Sequence, residues 1–440
     1  MVPPSRTTQG SPPVSMLGVL RGPRQVLFGA GQRRALGTMT AGLGRRALVC
    51  TDARFGATPE FAELVQVLEE AGVGVTTYTE VLPDVPVHQV AQCAELAAGI
   101  GPDVIVGMGG GSCLDLAKAV AVVLTHGGDP ADYYGELRVP GPVVPVVALP
   151  TTAGTGSEVT PVAVLTDPER VSKVGISSPH LIPHTAICDP ELTVGCPPGL
   201  TAAAGADALC HAIEAFTAVR RPVVAEVGTE RVFVGKNELT DVFALLGVRV
   251  ITAHLQRAWS TPDDLVAREA MMLGATAGGF ALGSAGTAVA HAIQYPVGAL
   301  THTAHGLGVG ALLPYAMEFN RPARIPELAA IALAMGASPD ASAEDLATEA
   351  IDRVAALLDA VGIPSSLADL GLPADQLRWT AEQAMGAQRL VANNPRPLDV
   401  DTVEQIVRAA YAGDRAALRD SSATVHDLDE PDLTAAGGAR

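Results

Sequence analysis

The sequence predicts an α/β domain followed by an all-α domain, and three observations carry that expectation. Apolar, β-branched runs alternate with amphipathic segments through residues 45–150, as in a parallel sheet covered on both faces. Pro and Gly then cluster in "DPELTVGCPPGLT" (189–201). Beyond that cluster the apolar spacing is helical.

Each element follows from its own stretch. "RRALVCTD" (45–52) reads as an apolar strand closing on an acidic residue, "PEFAELVQVLEEAG" (59–72) as an amphipathic helix, and "VGVTTYTEV" (73–81) as the next strand. "VHQVAQCAELAAGIG" (87–101) is helical, "DVIVGMG" (103–109) a buried strand and "CLDLAKAVAVVLTH" (113–126) a helix. "PVVPVVALP" (142–150) supplies another apolar strand. Helices are expected at 200–217, 239–258, 261–280 and 284–294, with Ala-rich helical stretches to about 412. The resulting division is an α/β domain at 18–195 and an all-helical domain at 196–415. A Pro/Ser-rich extension (1–17) and an acidic tail (416–440) are expected to be disordered, and Met16 is a candidate start.

Composition removes several classes. A net charge of −18 and an aromatic content of 4% argue against nucleic-acid binding. No run approaches the ~18 apolar residues of a membrane span, and the first residues lack a signal-peptide core. The six cysteines form no CxxC pair, which fits a reduced, cytoplasmic setting.

Two polar turns follow predicted strands. "VIVGMGGGSCLDLAK" (104–118) runs strand, glycines, helix, and glycines there let backbone N–H groups approach an anion at the helix N-terminus. Ser112 is placed to cap that helix or donate to a phosphate; the spacing is not GxGxxG, and a bare tight turn is the alternative. "PTTAGTGSEVT" (150–160) is the second turn, and two such loops on one sheet edge favour a nucleotide cradle. Asp52, closing the first predicted strand (45–52), is placed to accept from a ribose 2′-OH, favouring NAD over NADP; it is equally a common turn residue.

The helical half concentrates metal-ligand chemistry. In "GADALCHAIEAF" (205–216), Asp207 and His211 share one helix face at i, i+4. "HAIQYPVGALTHTAHG" adds His291, His302 and His305. Asp207, His211, His291 and His305 together suit Fe²⁺, Zn²⁺ or a related divalent ion, although an isolated Asp/His pair is more often a hydrogen-bonded couple. Cys210 faces away from Asp207 by helical phase.

The motifs "GGGSCLDLAK", "PTTAGTGSEVT", "AICDPELT", "GADALCHAIEAF" and "HAIQYPVGALTHTAHG", in this order over residues 18–412, resemble the iron-containing alcohol dehydrogenase family. The resemblance implies a dinucleotide-binding α/β domain facing an all-α domain, the dehydroquinate synthase-like plan, with catalysis in the cleft between them. It implies Asp207, His211, His291 and His305 as metal ligands. It implies cofactor contacts at Asp52, Gly109, Gly110, Gly111, Ser112, Thr151, Thr152, Thr155 and Lys173. The activity implied is hydride transfer between NAD(H) and a small alcohol or aldehyde whose oxygen the metal polarises, in a homodimer or higher homo-oligomer.

The chain departs from the family pattern at Tyr295, where many members carry a second histidine after the third ligand. Tyr295 and His302 are the candidate proton relays. Arg220, Arg221, Arg231 and Lys236, in the basic connection 217–241, are candidates to meet an anionic substrate, a solvated loop being the plainer reading. Maleylacetate reductase-like and anionic-aldehyde (for example phosphonate aldehyde) reductases are the rival activities, and a catalytically idle NAD-binding relative is the rival from another class. The intact ligand quartet disfavours the maleylacetate reductases.

Overall fold

In a computed structural model of the chain, residues 18–419 are described apart from 171, 172, 223 and 225. Six parallel strands frame the first half: β1 (Gln25–Phe28), β2 (Arg46–Cys50), β3 (Gly74–Tyr78), β4 (Val104–Gly109), β6 (Val146–Pro150) and β9 (Thr185–Cys188). They lie in the order β1-β9-β6-β4-β2-β3. The chain moves outward from β2 to β3, then returns to place β4 on the other side of β2. The crevice between the ends of β2 and β4 is therefore a topological switch point, where α/β sheets bind ligands. Register sharpens this: Cys50 pairs with Gly107, and Gly109 with Pro150, so the turns after β2, β4 and β6 emerge on one edge.

Helices α1 (Leu36–Ala41), α2 (Ala53–Gly56), α3 (Pro59–Glu70), α4 (Val87–Ile100) and α5 (Gly111–His126) accompany this sheet. The expected strand at 142–150 begins only at Val146, since Pro142 and Pro145 have no N–H to give a ladder. Beyond the sequence expectations are β1, β9 and a small sheet of β5 (Gly135–Glu136), β8 (Val174–Ser177) and β7 (Val162–Leu165), with β7 antiparallel to β8.

The second half is helical from α6 (Pro198–Thr217) through α7 (Val227–Glu230), α8 (Glu238–Ser260), α9 (Leu265–Ala285), α10 (Val289–Thr301) and α11 (His305–Asn320). It continues with α12 (Ile325–Ala334), α13 (Ala343–Ala360), α14 (Leu377–Ala384), α15 (Gln388–Val391) and α16 (Val400–Ala412). Helix α6 is buried along nearly its whole length, and its alanines let α8, α9 and α11 pack close around it. The helix expected at 284–294 starts at Val289 instead. α9 runs on to Ala285, and Gly286, at φ 81°, breaks the chain there.

The domain edges differ from expectation in two places. Residues assigned to the α/β half reach the helical half: Val19 N donates to Asn237 Oδ1 at 3.3 Å, and Arg21 Nη1 to Val232 O at 2.7 Å. At the other end a 3₁₀ turn, Arg415–Leu418, buries Leu418, and Arg419 Nε lies 3.3 Å from Glu318 Oε2. Ordered structure thus extends past 415, where the tail was expected to begin. The extension 1–17 and the tail from 420 lie outside the described residues. Among the described residues no helix is long and apolar enough to cross a membrane.

Candidate active site

Asp207, His211 and Glu214 follow one another at i, i+4 and i+7 on α6, so one face of a buried helix carries three polar groups. His291 projects from the first turn of α10, and His305 opens α11. Their Nε2 atoms converge on Asp207 Oδ1, at 3.3 Å from His211, 3.6 Å from His291 and 3.7 Å from His305. Bonds of ~2.1 Å to a tetrahedral ion give edges of ~3.4 Å between ligand atoms, so these separations fit a divalent cation. Asp207, His291 and His305 offer ligand atoms all within 4.8 Å of one another. His211 joins through Asp207 and stacks on His291, ring centroids 4.9 Å apart.

The hydrogen-bond pattern supports the same reading. Asp207 Oδ1 and His291 Nε2 are buried without a hydrogen-bond partner. Buried polar atoms are rarely left so, unless they serve an ion or a ligand. Burial tends to raise the Asp207 carboxyl, but its attraction to the His211 ring, a hydrogen bond from His291 and the facing His305 ring outweigh it and hold the group below the usual carboxylate range. Burial holds His211 and His305 below the ordinary imidazole value, keeping them neutral and able to ligate.

Glu214 escaped the sequence reading. Its Oε2 accepts from His291 Nδ1 at 2.7 Å and from Ala288 N at 2.8 Å, while Oε1 accepts from Ala290 N at 2.8 Å. That bond fixes the ring so that Nε2 faces Asp207. The i+7 spacing within "DALCHAIE" was the available signal. Cys210 also approaches His291, its Sγ 3.8 Å from Nδ1, on the side away from Asp207.

The Asp207–histidine cluster opens into a cleft of about 600 Å³ that runs to the sheet edge. Asp52, Gly110, Gly111, Ser112, Thr152, Thr155 and Lys173 line it, as do Asp207, His211, His291, Tyr295 and His305. Gly109 and Thr151 stand behind the wall, where Thr151 N donates to Gly109 O at 2.9 Å and ties the two turns together. Gly109 sits at φ 149°, and a Cβ there would lie 2.4 Å from Cys113 Sγ. The N-cap of α5 is Gly110, without a side-chain cap; Ser112 Oγ instead accepts from Asp84 N at 3.1 Å. Asp52 caps α2, its Oδ1 accepting from Phe55 N at 3.0 Å, so its turn role is real and Oδ2 remains toward Cys113. Lys173 Nζ pairs with Asp84 at 2.5 Å across the rim.

Comparison with known proteins places this architecture. The profile described as "Iron-containing alcohol dehydrogenase" matches residues 23–190, and "Fe-containing alcohol dehydrogenase family, C-terminal" matches 201–411. The NAD-dependent methanol dehydrogenase of Bacillus methanolicus is 34% identical over 393 residues, covering 88% of this chain and 98% of its own. The chain belongs to the iron-containing alcohol dehydrogenase family. It is thus an oxidoreductase of the alcohol dehydrogenase class. The sulfoacetaldehyde reductase of Bilophila wadsworthia (strain 3_1_6) is 30% identical over 84% of this chain and 92% of its own. A solved 1,3-propanediol oxidoreductase superposes with a TM-score of 0.84 at 32% identity, covering 90% of this chain and all of that one.

Within this family plan the two relay candidates separate. Tyr295 lines the cleft, its ring centroid 6.4 Å from that of His305. His302 caps the C-terminus of α10 in a left-handed conformation (φ 54°); it is exposed and not on the cleft wall. The four basic candidates of 217–241 are not on that wall either. Arg220 pairs with Glu238 at 2.6 Å and Lys236 with Asp241 at 2.6 Å, Arg221 Nη2 donates to Ala392 O at 3.4 Å, and Arg231 is exposed. The sequence passed over one basic cleft residue that matters below, Arg389 on α15.

Proposed function

We propose that this protein is an NAD-dependent, metal-dependent alcohol dehydrogenase that interconverts a small alcohol and its aldehyde. The observation that carries the reading is the convergence of three imidazole Nε2 atoms on Asp207 Oδ1, in the same cleft as the glycine turn after β4. Asp207, His211, His291 and His305 would hold Fe²⁺, or Zn²⁺ as the alternative, by their oxygen and nitrogen donors. When bound, the metal would supply a Lewis acid for the substrate oxygen and the nicotinamide would supply the hydride donor or acceptor for the aldehyde–alcohol couple.

The chain's own residues do the rest. Gly110, Gly111 and Ser112 offer the N-terminus of α5 to the pyrophosphate, where backbone N–H groups and the helix dipole favour negative charge. Thr152 and Thr155 close the opposite side of that cradle. Asp52 accepts from the adenosine ribose and repels a 2′-phosphate. Tyr295 Oη delivers the proton that the oxygen needs in the reductive direction. Buried apolar walls from both halves exclude water from the reacting atoms.

Metal stripping tests the reading. Chelated protein should lose NADH oxidation with short aldehydes and regain it with Fe²⁺ or Zn²⁺, and His305→Ala should lose most of its metal while staying folded. Undiminished turnover after complete stripping would overturn the metal role, and full retention by His305→Ala would remove that residue from the ligand set. Cofactor choice is a separate measurement. NADH should outperform NADPH, and Asp52→Ser should narrow the gap; faster turnover with NADPH at equal concentration removes Asp52 from the ribose.

A further inference from the structure

Arg389 shares the cleft wall with His291 and Tyr295. One face of its guanidinium lies on the Phe233 ring, Cζ 4.2 Å from the centroid. Its Nη1 is buried and makes no hydrogen bond. The carboxylates whose charge reaches it are Glu136 and Glu214, and both are occupied elsewhere. Glu136 Oε2 accepts from Val232 N at 2.7 Å and Phe233 N at 3.2 Å. Glu214 uses both oxygens on Ala288 N, Ala290 N and His291 Nδ1. Among the described residues Arg389 forms no ion pair.

The other cations near the cleft differ. Lys173 is paired with Asp84, and Arg54 is exposed beside Asp52 at the cofactor end. Gly286 lets the backbone pack close against Arg389 and Phe233. A Cβ on Gly286, itself at φ 81°, would stand 3.3 Å from Phe233 Cβ and 3.4 Å from Arg389 Nη1. A guanidinium donor left buried and unpaired is costly, and a ligand oxyanion is the group that relieves it, because the planar fork matches such oxygens.

We propose that Arg389 is the substrate-anion residue of this site and that the substrate is a short aldehyde, or its alcohol, carrying a carboxylate or sulfonate at the end remote from the carbonyl. The proposal rests on the dehydrogenase reading above and deepens it. The carbonyl oxygen lies toward the Asp207–His305 cluster, the chain passes Tyr295, and the anionic end meets the Arg389 guanidinium beside Phe233. Leu282 and Thr287 line the same cleft.

The test uses metal-loaded enzyme with NADH and matched aldehydes: succinic semialdehyde against butanal, and sulfoacetaldehyde against propanal. The ratio of kcat/KM, anionic over neutral, should be ~10–100 in the unmodified enzyme, the fold-change of one or two charge-assisted hydrogen bonds. Arg389→Met, which keeps an unbranched apolar side chain and removes the charge, should bring the ratio to about 1, and Arg389→Lys should restore part of it. Calorimetric binding of succinate and of ethanesulfonate to the NADH-loaded protein reads the subsite without turnover, and Arg389→Met should weaken it ~10-fold or more. The stronger of the two anions identifies carboxylate or sulfonate as the native group.

A ratio near 1 that neither variant moves, with neutral aldehydes turned over well, overturns the anion subsite and leaves the dehydrogenase reading intact. Arg389-dependent anion binding without reduction of any aldehyde supports the subsite and sinks the dehydrogenase reading. Absence of both turnover and Arg389-dependent binding overturns the two together.

Discussion

One carboxylate oxygen facing three imidazoles makes Asp207 the hinge of the site, and its neighbours explain how each ring is held. His291 is oriented from behind by Glu214, whose Oε2 lies 2.7 Å from Nδ1. Glu214 also caps the start of α10 through Ala288 N and Ala290 N, so ring orientation and helix placement depend on one side chain. Glu214→Gln should therefore lower metal affinity ~10–100-fold, read as metal retention against a chelator. Unchanged retention would make the residue a helix cap alone. The proton donor is a second residue-scale question. Tyr295→Phe should cut kcat by ~10²–10⁴ with metal content and NADH affinity nearly constant, because only the phenolic proton is removed. His302→Ala, altering an exposed C-cap outside the cleft, should keep its rate. The reverse pattern would return the relay to His302.

At the scale of elements, the turn 150–160 shows how the cofactor wall is kept rigid. Lys118 on α5 is fully buried, and its Nζ donates to Ser157 Oγ at 2.8 Å, Thr160 O at 3.1 Å and Val162 O at 2.8 Å, with Asp115 Oδ1 at 3.8 Å. From the other side Thr276 on α9 donates to Glu158 Oε1 at 2.9 Å. Lys118→Met should cost about 3 kcal/mol, since it leaves the Thr160 and Val162 carbonyls without their ammonium donor and removes the charge facing Asp115, and should raise KM for NADH by loosening the turn. Equal denaturant midpoints would sink that expectation. This network also marks what the sequence could show. The strand–turn–helix units and the Asp/His face of α6 were legible because their signals are local: alternation, glycines, i, i+4 spacing. The small sheet was not, because its strands are two to four residues long and pair across distant segments. Neither was Arg389, which sits in the four-residue helix α15 and reaches the cleft only through tertiary packing. The placement of His302 was hidden for the converse reason: nearness to His305 in sequence says nothing of direction when the backbone turns left-handed at that residue.

For the whole molecule, two halves share one cleft and join through buried contacts, and all six cysteines are buried as free thiols within them. This arrangement makes folding sensitive to alkali in a definite direction. Burial pushes the thiols of Cys113, Cys188 and Cys196 upward and that of Cys210 up to about 12, while Cys50 is raised first by its Sγ contact with Cys93 and then by burial. An acid whose folded value exceeds its unfolded one stabilises the fold below the unfolded value, near ~8.5 for a thiol, and loses that contribution as pH rises through the folded one. Lys118 acts oppositely. Burial lowers it to about 8, so the unfolded chain holds more protons between that value and its ordinary one, and stability from this group rises there. Lys236 is lowered by burial in the same direction, but five raised thiols outweigh these two lysines, and Tm should fall steadily above about pH 8.5. A thiol-reactive chromogenic disulfide provides the independent measurement. Native protein should label slowly, beginning with Cys113 because it lines the cleft, and NADH should slow that first step. Denatured protein should label at all six. Fast native labelling at several thiols, or a Tm that holds level to pH 10, would show that burial does not govern these groups.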